Sequence, residues 1–329
     1  MEVDPELAAW LRDALGEPGP FTLERLSGGN SNETLVLRGA GPERILRRPP
    51  AASIAPSAHA MDREFRVLRA LAGTGVPAPA PLACGRGMLV MERVPGFAPT
   101  TARPYGVCEA GEAVVDALAA LHGVDWRAVG LEDFGRPEGF LERQVARWRG
   151  QYERVQVRSL PRFDAIADWL EANRPDAGAP AILHGDFHAD NCLLSAVEPV
   201  RVTAIIDWEM ATIGDPLLDL GLLLAFWGSD RPEAPAMPRV QAFSRSDGAP
   251  SRGELAARYA ERSGRSVDAL DWYMALAFWK LAAIVEGAYA QYLDGRLTSS
   301  YAQALGDDVP RLLDEAAAFA GLVGSHTAR

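Results

Sequence analysis

The feature that most constrains this sequence is the polar segment LHGDFHADNCLL at residues 183–194, which apolar residues enclose on both sides. Two histidines, two aspartates and one asparagine fall within eight consecutive positions, 184–191. The apolar run AIL precedes these positions, CLL follows them, and a third apolar run, VTAII, leads to Asp207. Because predicted strands flank so much polar chemistry, we interpret the segment as a functional loop held by a rigid core.

Three oxygen-bearing side chains on these runs suit one reaction. Asp186 and Asn191 lie five positions apart on the loop, and Asp207 ends the following strand. If the two short strands pair, the three side chains meet at one end of the pair. One carboxylate would accept or orient a hydroxyl proton, while the amide and the second carboxylate offer Mg²⁺ its preferred oxygen ligands for phosphoryl transfer. The alternative for Asp186 taken alone is a loop cap.

The net charge of −11 over 329 residues argues against two classes of partner. A nucleic-acid binder needs a basic face, so we expect no nucleic-acid partner. An acidic chain also suits an anionic membrane surface poorly, and the apolar run Leu217–Trp227 is too short to span a bilayer. We therefore expect no membrane partner and interpret that run as a buried helix.

Two further features lead us to expect a cytoplasmic protein. The first residues lack the basic segment and apolar run of a signal peptide. The three cysteines have neither paired nor metal-ligand spacing, so we expect them to be reduced and buried.

The chain divides into a β-rich first part and a mostly helical second part, with the boundary predicted between residues 1–95 and 96–329. Short β runs separated by Gly and Pro occupy residues 21–48, and MLVME is a further strand. Ser57 is a candidate N-cap of a helix that ends near Leu71. Amphipathic segments then follow at 110–125, 140–155, 163–173, 254–262, 268–293 and 303–320. Strand character after residue 96 is limited to 181–207, so the elements predict an α+β fold.

The pattern H-G-D-x-x-x-x-N, followed by an apolar strand ending in I-D-W, resembles the aminoglycoside phosphotransferase and choline kinase family. The resemblance implies a protein-kinase-like fold with a small β-rich lobe that binds the nucleotide and a larger, mostly helical lobe for catalysis and the acceptor. It implies Asp186 as catalytic base, Asn191 and Asp207 as metal ligands, and His184 as a brace of the loop. Asp219 would hydrogen-bond to the loop backbone. The side chains of the other two polar loop residues, His188 and Asp190, are expected either to face solvent or to have their hydrogen bonds made within the loop.

In such a kinase the first lobe holds ATP, and LSGGNSNET lies between two predicted strands where a phosphate-covering loop belongs. Gly28 and Gly29 would let the backbone approach the phosphates, and N–H groups near Ser31 and Asn32 would meet phosphate oxygens. Ordinary turn chemistry is the alternative.

The family also expects a basic residue on the third strand, paired with a glutamate on the next helix. Arg47 takes the position usual for lysine, and Glu64 is its candidate partner. Arginine is a forked donor and no simple replacement for lysine, although it still pairs with carboxylates and phosphates. A surface arginine is the alternative.

The strand MLVME resembles the family's hinge, with Met91 behind the adenine and backbone groups of Glu92 and Val94 at its edge. Backbone contacts do not distinguish ATP from GTP. A core strand that ends at a proline would give the same pattern.

Longer stretches, including RILRRPP and FWKLAAIVEGAYAQYLDG, resemble the kinase domains fused to some acyl-CoA dehydrogenases. That subgroup implies a small-molecule acceptor with a hydroxyl on an acyl chain, bound in an apolar groove. Candidate groove residues are Trp272, Phe278, Trp279, Tyr289 and Tyr292, although such a stripe is also typical of a core. An antibiotic kinase would instead use acids, and the candidates are Glu209, Asp271, Glu286 and Asp294. Glu286 and Lys280 are the informative residues if they face inward.

A nucleotide-binding pseudokinase that acts as an interaction module is the remaining alternative. It predicts loss of a base or of a metal ligand, and here Asp186, Asn191 and Asp207 are all present. The sequence leaves open the oligomeric state and whether residues 228–252 close over the substrate.

Overall fold

The computed structural model describes residues 3–26, 32–49, 58–99, 106–228, 235–298 and 301–322. A five-stranded antiparallel sheet forms the first part, in the order β1-β2-β3-β5-β4. Its strands are β1 (Thr22–Arg25), β2 (Glu33–Arg38), β3 (Arg44–Arg48), β4 (Pro81–Gly85) and β5 (Met88–Glu92).

Two helices accompany this sheet. Helix α1 (Pro5–Leu15) begins at Asp4, whose side chain accepts a hydrogen bond from the Leu7 N–H, and buries Leu7 and Leu11 against the strands. Helix α2 (Ala58–Leu71) lies on the other side and joins the larger core of the molecule. Its predicted N-cap, Ser57, lies outside the described residues.

The second part is mostly helical, as predicted. Its helices are α3 (Val107–His122), α4 (Glu142–Val155), α5 (Pro161–Ala172), α6 (Leu217–Phe226), α7 (Arg252–Ser263), α8 (Leu270–Leu293) and α9 (Leu305–Phe319). Two small ribbons lie between α5 and α6: β6 (Ala181–Leu183) pairs with β9 (Thr212–Gly214), and β7 (Cys192–Leu194) pairs with β8 (Val202–Ile205). Among the described residues, no helix has the length and apolar composition to cross a bilayer.

Helix α8 lies at the centre of this part, and several of its aromatic side chains pack into the core. Trp272, Phe278 and Trp279 are buried. The indole of Trp272 donates to the Leu170 carbonyl and that of Trp279 to the Phe163 carbonyl, both at 2.9 Å. These side chains therefore belong to the core rather than to a groove, because their only polar atoms are already satisfied internally.

Two predictions about local structure were wrong, and one strand was not predicted. The strand that was not predicted is β4, in the Pro-rich stretch before MLVME, where a proline is tolerated at the first position of an edge strand. Strand β9 lies beyond the predicted strand region and is only three residues long, too short for an alternating pattern. Cys192 is buried and Cys84 half-buried, but Cys108 is exposed near the start of α3, while all three are free thiols.

The two parts meet at the segment that follows β5. Phe97 and Leu194 exchange backbone hydrogen bonds of 3.3 and 2.9 Å, which attaches this segment to β7 of the second part. A boundary near residue 95 remains our proposal for the division between the lobes.

Helix α6 lies so close to α8 that a glycine is required at the contact. A Cβ on Gly221 would come 2.9 Å from the carbonyl oxygen of Tyr273. We expect Gly221→Ala to lower the free energy of unfolding by about 1–3 kcal/mol through overpacking. The control Gly253→Ala, in α7 where a Cβ meets nothing closer than 3.9 Å, should leave it unchanged or raise it by about 0.5–1 kcal/mol. Chemical denaturation checks both variants, and equal effects would contradict the close helix contact.

Candidate active site

The β7–β8 ribbon brings the predicted metal ligands together. Cys192 pairs with Ile205, and the Ile206 N–H donates to the Asn191 carbonyl at 2.9 Å. Asn191 and Asp207 therefore lie at the same end of the ribbon. The Asn191 amide also donates to the Asp186 carbonyl oxygen at 2.9 Å, which draws the predicted base to this end. Asp207 has φ +69°, a left-handed conformation that aspartate tolerates better than most residues.

His184 and Asp219 hold the catalytic loop from beneath. The two Asp219 carboxylate oxygens accept from the backbone N–H groups of His184, at 2.6 Å, and Gly185, at 2.9 Å. Burial lowers the pKa of His184, so its ring is neutral. The Asp186 N–H lies 3.3 Å from His184 Nδ1, and Nε2 lies 2.9 Å from the Ile206 carbonyl oxygen. These contacts assign the proton to Nε2 and make His184 a bridge between the loop and the strand that leads to Asp207.

The Asp186 carboxylate is half exposed and ionised. Its burial acts to raise its pKa, but His188, with Nε2 3.6 Å from Oδ2, outweighs burial together with smaller effects of His184 and Lys280 and lowers the pKa to about 2. A carboxylate that is ionised at neutral pH can orient a hydroxyl and accept its proton. His188 was expected to be an uninvolved loop residue, yet among the described residues it is the basic side chain that lies within 4.0 Å of the Asp186 carboxylate.

Arg47 links three acidic side chains from both parts of the molecule. Its guanidinium donates to Glu64 Oε1 at 2.5 Å and to Asp207 Oδ1 at 2.7 Å, and it lies 3.7 Å from Glu209 Oε2. Glu64 is fully buried, so its place beside the apolar stripe of α2 is explained by this ion pair. The Asn32 amide donates to Glu209 at 2.6 Å and completes the cluster. A forked guanidinium can bond two carboxylates at once, whereas a lysine is a single point of charge.

These residues fit a nucleotide and a hard metal ion. The buried Arg47 Nε has no hydrogen-bond partner within the described ranges, so the guanidinium retains a donor for a phosphate oxygen. The described side chains contain no cluster of three or more His, Cys, Asp or Glu that could enclose a metal. Asn191 and Asp207 instead offer two oxygen donors, and Mg²⁺ commonly takes few protein ligands and completes its shell with phosphates and water.

The hinge prediction needs one correction. Met91 is buried and Val94 is half-buried, but the Glu92 N–H already donates to the Ala80 carbonyl at 2.8 Å. Glu92 therefore retains only its backbone carbonyl for an adenine edge. The predicted phosphate-loop residues Gly28, Gly29 and Ser31 lie outside the described residues.

A small cleft, with a cavity volume of about 60 Å³, opens beside the loop, where it reaches Gly185. Its walls come from α4, α6, α8 and the β6–β9 ribbon, and they include Phe140, Trp148, Met210, Leu222, Arg147 and Lys280. The five aromatic residues predicted for a groove do not line it.

The four acids considered for an antibiotic site do not line this cleft either. Glu286 is fully buried and accepts hydrogen bonds of 3.0 and 3.2 Å from Arg158, and Glu209 belongs to the Arg47 cluster. Asp271 and Asp294 are exposed elsewhere on the surface. Glu286 therefore faces inward but forms a structural ion pair in the core, whereas Lys280 lines the cleft.

The buried ion pair predicts a pH-dependent stability. Burial raises the pKa of Glu64 from 4.5 to about 7, against the opposing effect of Arg47. Between these pH values the folded protein binds a proton that the unfolded chain lacks, so stability falls as the pH rises through this window. We expect wild type to lose roughly 3 kcal/mol more than Glu64→Gln between pH 4.5 and 7. Urea denaturation across this range measures the difference, and a difference that does not vary with pH would contradict the shift.

Comparison with known proteins agrees with this geometry. Residues 22–258 match APH, the phosphotransferase enzyme family. The chain is 36% identical over 294 residues to acyl-CoA dehydrogenase family member 11 of Rattus norvegicus, which covers 85% of this chain but 38% of that protein. The chain thus spans well under half the length of this curated relative.

Two solved structures share the fold. A Ralstonia eutropha protein assigned to the aminoglycoside phosphotransferases has a TM-score of 0.80 and 30% identity, covering 97% of this chain and 98% of that one. Choline kinase from Cryptosporidium parvum has a TM-score of 0.64 and 12% identity, with 97% and 98% covered, which shows the fold alone. The fold is protein-kinase-like, as predicted, and family members phosphorylate hydroxyl groups of small molecules with a nucleotide as donor. The chain belongs to the phosphotransferase enzyme family and is a phosphotransferase that acts on hydroxyl groups.

Proposed function

We propose that this protein is a kinase that transfers the γ-phosphoryl group of ATP to a hydroxyl of a small molecule. The observation that carries the proposal is the convergence of Asp186, Asn191 and Asp207 at one end of the β7–β8 ribbon, beside the Arg47–Glu64 pair. In phosphoryl transfer, positioning and electrostatic stabilisation supply most of the catalysis, and these residues offer both.

Each residue has one task in this proposal. Asp186, ionised and half exposed, orients the acceptor hydroxyl and takes its proton. Arg47, held by Glu64, binds phosphate oxygens. Asn191 and Asp207 would hold Mg²⁺, which supplies charge neutralisation on the phosphates when it is bound. His184 acts through the loop backbone and is a positioning residue.

The acceptor we propose is a hydroxyl on an acyl chain. The similarity to an acyl-CoA dehydrogenase family member supports this choice, and so does a cleft whose charged lining is basic apart from Asp219. An antibiotic acceptor is the alternative, favoured by the name of the Ralstonia eutropha structure. Its amines would need free carboxylates, and the four candidate acids lie elsewhere or are neutralised. Free thiols support a cytoplasmic location as part of this proposal.

The role of Asp186 is tested by substitution. We expect Asp186→Ala to lower kcat at least 10³-fold, because the hydroxyl loses its base and orienting group, while ATP affinity stays within about threefold. Phosphate transfer from MgATP is measured over hydroxyacyl-CoAs, hydroxy acids, aminoglycosides and macrolides, and ATP binding by calorimetry. An equal loss of turnover and of ATP binding would contradict its assignment as the base, and ATP binding without turnover on any acceptor would favour the pseudokinase alternative.

The metal assignment has a matched control on the same loop. Removing the Asn191 oxygen ligand by Asn191→Ala should raise the Mg²⁺ concentration for half-maximal activity about tenfold or more. The neighbouring substitution Asp190→Asn should leave this Mg²⁺ concentration unchanged, since Asp190 has no role in the proposed site. Activity measured against MgCl₂ concentration separates the two, and equal shifts would remove Asn191 from the metal site.

A further inference from the structure

Lys280 is the only lysine in the sequence, and the other 32 of its 33 basic residues, not counting histidine, are arginines. It lies on α8, in the core-facing stretch that follows Trp279, and its side chain is half-buried in the wall of the cleft. The one compact ammonium among the lysine and arginine side chains of this sequence therefore lies beside the catalytic loop.

The contacts of this ammonium leave most of its donors unused. Its one hydrogen bond among the described residues is a long one, 3.3 Å to the Gly185 carbonyl, and the Trp148 ring lies 5.1 Å away. No carboxylate of the described chain lies within ion-pair distance. Asp219 is nearby, but both of its oxygens are engaged by the loop backbone. Burial lowers the pKa of Lys280, and the charges of Asp186 and Asp219 oppose that shift.

Three other buried or half-buried cations of this protein have a paired carboxylate, whereas the half-buried Arg245 and Arg265 donate to backbone carbonyls. Arg47 pairs with Glu64, Arg44 with Glu17, and Arg158 with Glu286. An ammonium removed from water needs oxygen partners, because an unpaired buried charge is costly. The oxygen partner of Lys280 among the described residues is the Gly185 carbonyl. The ammonium can therefore donate further hydrogen bonds to an oxygen atom of a bound ligand.

The rest of the cleft favours the same kind of ligand. Its apolar wall includes Phe140, Trp148, Met210 and Leu222, and its second positive charge is Arg147. Asp219 is the one acid in the lining, and its oxygens are already occupied. Within this lining a ligand with an amine would meet two cations and the already hydrogen-bonded Asp219, whereas a ligand with an apolar chain and an acyl oxygen complements both features.

We propose that Lys280 determines acceptor specificity by donating hydrogen bonds to an acyl oxygen of the acceptor, a carboxylate or a thioester carbonyl, and by repelling amines. The proposal rests on the kinase function proposed above. Gly185 directly precedes Asp186, and consecutive Cα atoms are about 3.8 Å apart. The acyl oxygen bound by Lys280 and the hydroxyl oriented by Asp186 therefore belong to neighbouring parts of one acceptor, separated by a few carbon atoms.

Steady-state kinetics of Lys280→Met and Lys280→Arg test this role. The acceptors are 3-hydroxybutyrate, its N-acetylcysteamine thioester and 4-amino-2-butanol, which distinguish a carboxylate, a thioester carbonyl and an amine. For Lys280→Met we expect an increase of about 10- to 100-fold in KM for the acid or the thioester, as for a hydrogen bond to a charged group. KM for ATP should stay unchanged, and Lys280→Arg should recover part of the loss. A wild-type preference for the amino alcohol, or an equal rise in both KM values, would overturn the proposal.

Chemical modification of the wild-type protein provides a test without a variant. Acetic anhydride can acetylate one side-chain amine in this chain, and peptide mass spectrometry measures its extent at Lys280. We expect the acid or the thioester to protect Lys280, and MgATP or the amino alcohol to leave its acetylation unchanged. Protection by MgATP alone, or none by any acyl compound, would overturn the proposal.

The two proposals fail in different ways. Protection of Lys280 by an acyl compound that is never phosphorylated would contradict the kinase function and leave acyl binding at Lys280 supported. Phosphorylation of that compound with an unprotected Lys280 and an unchanged KM in Lys280→Met would overturn the specificity role alone. Circular dichroism of both variants confirms that their folding is intact before either result is interpreted.

Discussion

The site depends on one buried carboxylate. Asp219, at the start of α6, accepts hydrogen bonds from two successive backbone N–H groups of the catalytic loop. A buried charge is stable only when such partners are present, and charged hydrogen bonds contribute about 1.5–3 kcal/mol each. The loop is therefore tied to the rigid α6–α8 core, and His184 extends this connection to the strand that leads to Asp207. The position of Asp186 therefore depends on these backbone hydrogen bonds as well as on its side-chain contact with His188.

A second constraint joins the two parts of the molecule. Glu64 comes from α2, Arg47 from β3, and Asp207 follows β8, so the Arg47 guanidinium connects the sheet with the catalytic ribbon. The same guanidinium is the proposed phosphate ligand, and Asp207 is the proposed metal ligand. In this arrangement the groups that would bind nucleotide and metal are already in contact with each other, which is a form of preorganisation.

Much of this was predictable from sequence because it depends on local pattern. The α+β class and the β7–β8 pairing follow from apolar runs, and the Arg47–Glu64 pair follows from the family resemblance and from an acid placed beside an apolar stripe, but the contacts of Arg47 with Asp207 and Glu209 were not predicted. Strands β4 and β9 did not follow, since an edge strand beginning with Pro81 and a three-residue strand carry no clear alternation. The acceptor cleft was also missed: residue type pointed to the aromatic residues of α8, but burial placed Trp272 and Trp279 in the core. Which side of α8 faces the loop, and hence the position of Lys280, is a property of helix packing that one sequence does not reveal.

Phosphate transfer from ATP labelled at the γ-phosphate tests the account most directly, with wild type and Asp186→Ala incubated with hydroxyacyl compounds and antibiotics. We predict label in a hydroxyacyl acceptor for wild type and none above background for Asp186→Ala. Label transferred equally well by both proteins would contradict the role of Asp186. If wild type binds ATP but transfers label to none of the acceptors, the account of this site as a kinase centre is contradicted.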